Sequence, residues 1–152
     1  MSDFLLDIPN VCTPGSGLCT GGRPRPEHLA SAARQGVKMV VNLCPPAEAA
    51  DYDEAAVVAG LGMRYVNIPV AGPADLTLPN VKALAHALEA GQQGAGDRPA
   101  VLLHCASGNR AGAMLALKAA WVDGKPAAEA LAIGRAAGLT ALDGVVSHLL
   151  AG

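Results

Sequence analysis

The residues best suited to chemistry form one short segment: His104, Cys105, Ala106, Ser107, Gly108, Asn109 and Arg110. A cysteine between a strand and a helix faces converging N–H groups and the helix's partial positive charge, so the thiol is expected to ionise readily. Gly108 permits a turn that a side chain would block, and Arg110 offers a planar pair of donors for two oxygens of an oxyanion. We predict an anion-binding loop in which Cys105 and Arg110 are catalytic, and Ala106, Ser107, Gly108 and Asn109 bind the substrate.

The competing interpretation of this segment is purely structural. Cys105 would then be a small buried apolar side chain, and Arg110 would form a salt bridge. The surrounding sequence favours the chemical interpretation. Residues 100–104 form a short apolar run typical of a buried strand, and residues 111–122 are apolar on nearly all sides, which predicts a helix in the middle of a domain. Ligands of parallel α/β sheets bind beyond the carboxyl ends of such strands.

The remaining elements alternate between the two types of secondary structure. Strands are predicted at 18–20, 37–43 and 63–70. Helices are predicted at 27–35, 47–59, 79–90, 126–137 and 141–150, with a loop at 71–78 and a flexible linker at 91–98. The alternation predicts an α/β fold with a mainly parallel four- or five-stranded sheet flanked by helices. The length suits a single domain over 1–152, in which 1–17 is an irregular N-terminal segment.

Composition excludes several classes of function. The 152 residues include only 16% charged side chains, have a net charge of −2 and contain no run of Lys or Arg, so we expect no nucleic-acid or membrane binding. The N-terminus lacks a basic start and a long apolar middle, which indicates no signal peptide and a cytoplasmic protein. The four cysteines, Cys12, Cys19, Cys44 and Cys105, form no zinc-binding spacing, and free thiols suit that compartment. The sequence does not indicate an oligomeric state.

Residues 104–111 resemble the signature loop of the cysteine-dependent phosphatases. More closely, the chain is similar to the bacterial beta-lactamase-hydrolase-like phosphatase domains, which have dual-specificity-phosphatase-like folds and are also catalogued in places as sulfur transferases. The resemblance covers residues 18–122 and includes the segments 21–29, 37–43 and 65–70. It implies a cysteine-dependent phosphatase-like fold.

The resemblance also implies a two-step hydrolysis of a phosphate monoester. Cys105 would attack phosphorus, while Arg110 and the N–H groups of residues 106–110 would hold the other oxygens. A carboxylic acid upstream would protonate the leaving oxygen, and Asp75, 30 residues before Cys105, is the candidate. The weaker candidates are Asp51, Asp53 and Glu54, and a solvated turn aspartate is the other interpretation of Asp75. The implied substrate is a phosphorylated small molecule or a phosphoprotein, and the chemistry requires no metal or cofactor.

Two other residues gain roles from this resemblance. His104 would bond to the loop backbone and shape the environment of the thiol, which differs little from a well-satisfied core histidine. Cys44 follows a strand and could face the same crevice, where a disulfide with Cys105 would protect the nucleophile. A simply packed Cys44 thiol is the more economical interpretation.

Two features depart from the phosphatase pattern. Only four residues separate Cys105 from Arg110, one fewer than in the phosphatase loop, and Ala111 stands where phosphatases usually have Ser or Thr. Rhodanese-type sulfurtransferases use the shorter spacing. Two alternatives therefore stay open: a rhodanese-like sulfurtransferase acting through a Cys105 persulfide, and a non-catalytic module that binds a phosphorylated ligand.

Overall fold

The computed structural model describes residues 4–15, 17–48, 50–93 and 98–151. Its strands are β1 (Cys12–Gly15), β2 (Leu18–Gly21), β3 (Met39–Asn42), β4 (Arg64–Asn67) and β5 (Val101–His104). Its α-helices are α1 (Pro26–Arg34), α2 (Glu54–Gly60), α3 (Leu78–Gln92), α4 (Asn109–Trp121), α5 (Ala127–Ala136) and α6 (Asp143–Ala151). Short 3₁₀ helices cover Pro46–Glu48 and Pro73–Asp75.

The strands form one sheet in the order β1-β2-β5-β3-β4. β2, β5, β3 and β4 are parallel, and β1 pairs antiparallel with β2. The predicted α/β class and mainly parallel sheet are confirmed. The prediction of an irregular segment over 1–17 is wrong at Cys12–Gly15, because the exposed edge of β2 offers this short stretch a hydrogen-bonding partner. Residues 1–3 and 16 of that segment lie outside the described residues.

Both faces of the sheet are covered, and the strand residues alternate between them with a period of two. One face packs against α1 and α2 through Cys19, Val40 and Leu102. The opposite face packs against the helices that follow β4 through Met39, Val41, Val101 and Leu103. This explains why β3 and β5 are continuously apolar in sequence, as expected for strands buried on two sides.

Helix α4 lies in the middle of the larger core, as its sequence predicts, and eight of its residues are buried. It approaches α5 closely where two glycines meet. A Cβ at Gly112 would lie 2.2 Å from the backbone nitrogen of Leu139, and one at Gly134 would lie 2.8 Å from the carbonyl oxygen of Gly112. Because Gly112 and Gly134 have no side chains, α5 and the segment that follows it pack directly on α4.

Two predicted elements differ from the structure. The helix predicted at 47–59 is divided into Pro46–Glu48 and α2, because Asp53 caps α2 by accepting the N–H of Ala56 at 3.1 Å. Residue 49 lies outside the described residues. The linker predicted at 91–98 is shorter, since α3 continues to Gln92 and a Cβ at Gly91 would lie 2.6 Å from the Val101 side chain; residues 94–97 of it are not described. No α-helix within the described ranges is long and apolar enough to cross a membrane.

Candidate active site

The predicted chemical segment lies at the carboxyl end of the central strand. β5 runs between β2 and β3, ends at His104, and is followed by the four-residue turn from Cys105 to Gly108. Gly108 has a φ of +93°, a left-handed conformation that favours glycine, and α4 begins at the next residue. The loop after β5 is therefore flanked by the ends of two neighbouring parallel strands, which is where α/β sheets bind ligands.

Cys105 is held at the base of this turn. Its sulfur accepts the backbone N–H of Gly108 at 3.0 Å, and its own N–H donates to the carbonyl of Gly21 at 3.2 Å. The residue is 0% exposed. Burial is the feature that the purely structural interpretation expects, and a nucleophile must touch its substrate. A role for Cys105 as a nucleophile would therefore require the groups around its sulfur to move.

The loop keeps most of its N–H groups unpaired while its carbonyl groups fix its position. The carbonyl of Ala106 accepts the N–H of Arg23 at 3.3 Å, and that of Ser107 accepts Nδ2 of Asn10 at 2.8 Å. Within the described parts of the chain, no hydrogen bond is donated by the backbone N–H groups of Ala106, Ser107, Asn109 and Arg110. Ala106 and Ser107 are exposed. The main chain thus presents donors to solvent beside the sulfur.

The side chain of Asn109 faces the other way. Its Oδ1 accepts the N–H groups of Thr140 and Leu142 at 3.0 and 3.1 Å. This amide therefore ties the start of α4 to the segment that leads into α6. Of the four residues predicted to bind substrate, Asn109 therefore uses its side-chain oxygen for structure, and the oxygen is not available to a ligand.

Arg110 is paired with an acid that the sequence did not suggest. Its Nη2 lies 2.8 Å from Oε1 of Glu48 and its Nη1 lies 3.1 Å from Oε2, while Nη1 also donates to the carbonyl of Val70 at 2.7 Å. The hydrogen bond that Arg110 donates to Glu48 raises the pKa of Arg110, and interactions with Cys44 and Cys105 act in the same direction. Arg110 therefore lies near Cys105 and at the same time forms a salt bridge with Glu48.

The salt bridge uses only one edge of the guanidinium. Glu48 occupies the edge formed by Nη1 and Nη2, and Nε donates no hydrogen bond to any described residue. A guanidinium has five N–H donors, so the edge formed by Nε and the second Nη2 hydrogen stays open. Arg110 can therefore hold two further oxygens without losing Glu48.

A second arginine, missed at the sequence level as a site residue, reaches the same region. Nη2 of Arg23 donates to the carbonyl of Glu48 at 2.5 Å and to the sulfur of Cys44 at 3.5 Å. Burial raises the pKa of Cys44, against the opposing influence of Arg23 and Arg110. Cys44 is 4% exposed, and all four cysteines are free thiols. The packed-thiol interpretation of Cys44 is confirmed, and this structure contains no disulfide to Cys105.

His104 is anchored between two elements. The side chain is fully buried, its Nε2 lies 2.6 Å from Oε2 of Glu54, and its Nδ1 lies 3.4 Å from the carbonyl of Cys105. The expected contact with the loop backbone is present, and Glu54 at the start of α2 is the partner that sequence reasoning did not assign. This pair fixes the last residue of β5 immediately before Cys105.

The predicted general acid and its rivals all have structural partners except Asp51, for which none is described. Oδ2 of Asp75 accepts the N–H of Ala71 at 2.8 Å on the loop after β4, so the carboxylate shapes its own turn. Asp53 caps α2 and Glu54 holds His104. Asp75 is nevertheless connected to the site, because it holds Ala71, and the residue before Ala71, Val70, accepts a hydrogen bond from Arg110.

Sequence comparison assigns most of this architecture to one family. Residues 17–122 match the family model described as beta-lactamase hydrolase-like protein, phosphatase-like domain. The matched residues include β2 to β5, the cysteine loop and α4, which are the elements that build the site. Among proteins of curated function, none gives a significant match.

Solved structures show the same fold. A DUF442 protein from Shewanella putrefaciens CN-32, described as a candidate phosphatase, is 26% identical with a TM-score of 0.63, and the match covers 83% of this chain and 78% of that one. Tk-PTP in its active form is 20% identical with a TM-score of 0.68 over 93% and 96% of the two chains. TpbA of P. aeruginosa in complex with pTyr is 20% identical with a TM-score of 0.60 over 90% and 88%.

Proposed function

The chain belongs to the family of beta-lactamase hydrolase-like phosphatase-like domains, and we propose that it hydrolyses phosphate monoesters through a phosphocysteine formed on Cys105. The observation that carries the proposal is the arrangement of donors around one sulfur. Gly108 donates its N–H to that sulfur at 3.0 Å, and the neighbouring N–H groups and one edge of Arg110 are unpaired. Donors fixed in advance stabilise the charge that develops on phosphoryl oxygens.

The reaction proceeds in two balanced steps. The thiolate of Cys105 attacks phosphorus, the S–P bond forms, and the bond to the leaving oxygen breaks while a carboxylic acid protonates that oxygen. Water then attacks the phosphocysteine, the acid takes back a proton, the S–P bond breaks, and phosphate leaves with the thiolate restored. The charge-assisted hydrogen bonds of Arg110 hold the non-bridging oxygens through both steps.

We assign the acid to Asp75. Its loop follows β4 and contacts the guanidinium of Arg110 through the carbonyl of Val70, which supports a position near the leaving group. Glu48 is nearer to Arg110 but suits the role poorly, because the Arg110 guanidinium holds the pKa of Glu48 below its usual range. A carboxylate whose two oxygens both accept hydrogen bonds from Arg110 is held in its ionised form and is poorly placed to pass a proton to a leaving group.

The test is hydrolysis of an aryl phosphate by the wild type and by Cys105→Ser. We expect release of inorganic phosphate that vanadate inhibits and that the variant lacks. Circular dichroism and thermal unfolding of the variant establish that it is folded. Equal hydrolysis by both proteins, or none by the wild type at any pH from 5 to 9, contradicts the proposal.

One observation favours a second candidate, the rhodanese-like sulfurtransferase. The loop has four residues between Cys105 and Arg110, and Ala111, which is buried, offers no hydroxyl to assist breakdown of a phosphocysteine. In that reaction Cys105 takes the outer sulfur of thiosulfate, releases sulfite, and passes the sulfur to cyanide as thiocyanate. Thiocyanate production and a persulfide mass on Cys105, without phosphate release, would favour this candidate. Binding of phosphate without either reaction would instead indicate the binding module.

A further inference from the structure

The side chain of Arg23 spans the strand that carries the nucleophile. Arg23 follows β2, and its N–H is bonded to the carbonyl of Ala106 at 3.3 Å. Its guanidinium contacts Cys44 and Glu48, which follow β3. In the sheet, β5 lies between β2 and β3, and neighbouring strands are about 4.8 Å apart. The side chain therefore crosses the carboxyl end of β5, where Cys105 is completely buried.

The contacts of Arg23 leave most of its donors unused. Only Nη2 is bonded, to a backbone carbonyl and a thiol, neither of which is a carboxylate. Among the described residues, Nε and Nη1 of Arg23 have no hydrogen-bond partner. The nearby carboxylate of Glu48 is already held by Arg110 through both oxygens. Arg110 thus pairs with the Glu48 carboxylate, while Arg23 contacts only the main-chain carbonyl of that residue and forms no salt bridge within the described residues.

The loop N–H groups and Arg110 together supply the donors that one phosphoryl group needs. Arg23 follows β2, and its guanidinium lies across the carboxyl end of β5, close to the cysteine loop. Because the loop and Arg110 already hold the phosphoryl group, the guanidinium of Arg23 would have no partner on the substrate unless the substrate carried a second anionic group. An anionic substituent on the leaving group would form a salt bridge with Arg23.

Building on the proposed phosphatase function, we propose that Arg23 is a specificity residue that binds a second anionic group. The substrate class is then phosphate monoesters that carry a further phosphate or carboxylate close to the scissile bond. On binding, the guanidinium exchanges Cys44 and the Glu48 carbonyl for that anion. The free donors Nε and Nη1 of Arg23 are then available to hold two oxygens of the anionic group.

Binding measurements on Cys105→Ser test this without requiring turnover. Calorimetry compares inorganic phosphate with pyrophosphate, whose second phosphoryl group supplies the additional anion, in the Cys105→Ser background with and without Arg23→Gln. Arg25→Gln is the matched control. Arg25 lies two residues after Arg23 and pairs with Glu27 at the surface, so this variant removes the same charge without touching the site. We expect pyrophosphate to bind at least tenfold more tightly than phosphate. Arg23→Gln should remove this preference and change phosphate affinity less than threefold, and Arg25→Gln should preserve the preference.

Three outcomes overturn the inference: no preference for pyrophosphate, a preference that survives Arg23→Gln, or an equal loss of both affinities in that variant. Parallel kinetics on proteins with Cys105 intact separate the inference from the function on which it rests. An absence of phosphatase activity together with an Arg23-dependent preference for pyrophosphate would contradict the proposed reaction alone. Hydrolysis of a simple aryl phosphate without that preference would contradict the role of Arg23 alone.

Discussion

The carboxylate of Glu48 meets the guanidinium of Arg110 end-on, with Oε1 2.8 Å from Nη2 and Oε2 3.1 Å from Nη1. A carboxylate in this position fixes the plane of the guanidinium and leaves the edge that carries Nε unoccupied. The carbonyl of Val70, 2.7 Å from Nη1, restricts the same group from another strand end. Glu48 thus positions Arg110, and the salt bridge is compatible with anion binding by the open edge.

Replacing Arg110 should raise the pKa of Glu48. The hydrogen bond from Arg110 is the main cause of the lowered pKa, so Arg110→Gln should return it toward the ordinary carboxyl value. Because the folded pKa is the lower one, the stabilisation from this pair is complete above the ordinary pKa and is lost as the pH falls through the folded value. A carboxyl-carbon NMR titration of wild type and variant measures the change. An unchanged Glu48 midpoint in Arg110→Gln would contradict the geometry, and Arg25→Gln should leave it unchanged.

Removing the carboxylate of Glu54 should destabilise the fold. Glu54 is 8% exposed and lies 2.6 Å from the buried Nε2 of His104, and leaving a buried polar group without its hydrogen-bond partner costs about 1–3 kcal/mol. Urea unfolding of Glu54→Ala measures the loss. Glu27→Ala, which breaks an exposed pair with Arg25, should leave the midpoint unchanged. Equal midpoints for wild type and Glu54→Ala would show that the pair contributes nothing.

Adding a methyl group to Gly112 should separate α4 from the α5 end of the domain. Its Cβ would lie 2.2 Å from a backbone atom of Leu139, and overpacking of this kind typically costs about 1–3 kcal/mol. Gly144, in α6, is a matched control because a Cβ there meets nothing within 4 Å. Gly144→Ala should stabilise by up to about 1 kcal/mol through helix propensity. Thermal or urea unfolding should therefore give shifts of opposite sign, and equal shifts would contradict the close packing.

Replacing Asp75 by asparagine tests its assignment as the acid. An asparagine oxygen can still accept the N–H of Ala71, so the loop should keep its shape while the proton donor is lost. We expect kcat for a substrate with a poor leaving group to fall by about 10²- to 10⁴-fold. A good leaving group such as nitrophenolate should be affected much less, because it needs little protonation. An equal fall for both substrates would argue that Asp75 only supports the loop.

The sequence alone determined the class of fold and the place of the cysteine loop between β5 and α4. Both follow from local properties of the chain. Residues buried on two sides make β3 and β5 continuously apolar, and an apolar surface all round predicts the central place of α4. The segment from Cys105 to Arg110 is contiguous, so its place between the last strand and that helix could be recognised without knowing any other contact.

Only the tertiary structure decided what surrounds that segment. Glu48 is 62 positions from Arg110, and Glu54 is 50 positions from His104. Arg23 and Cys44 meet because β2 and β3 flank the same central strand. No periodicity marks such partners, since a loop residue carries no pattern that says which other loop it will face. The burial of Cys105 likewise results from the packing of neighbouring strand ends. The short sequence motif therefore identified this cysteine but did not indicate that it is buried.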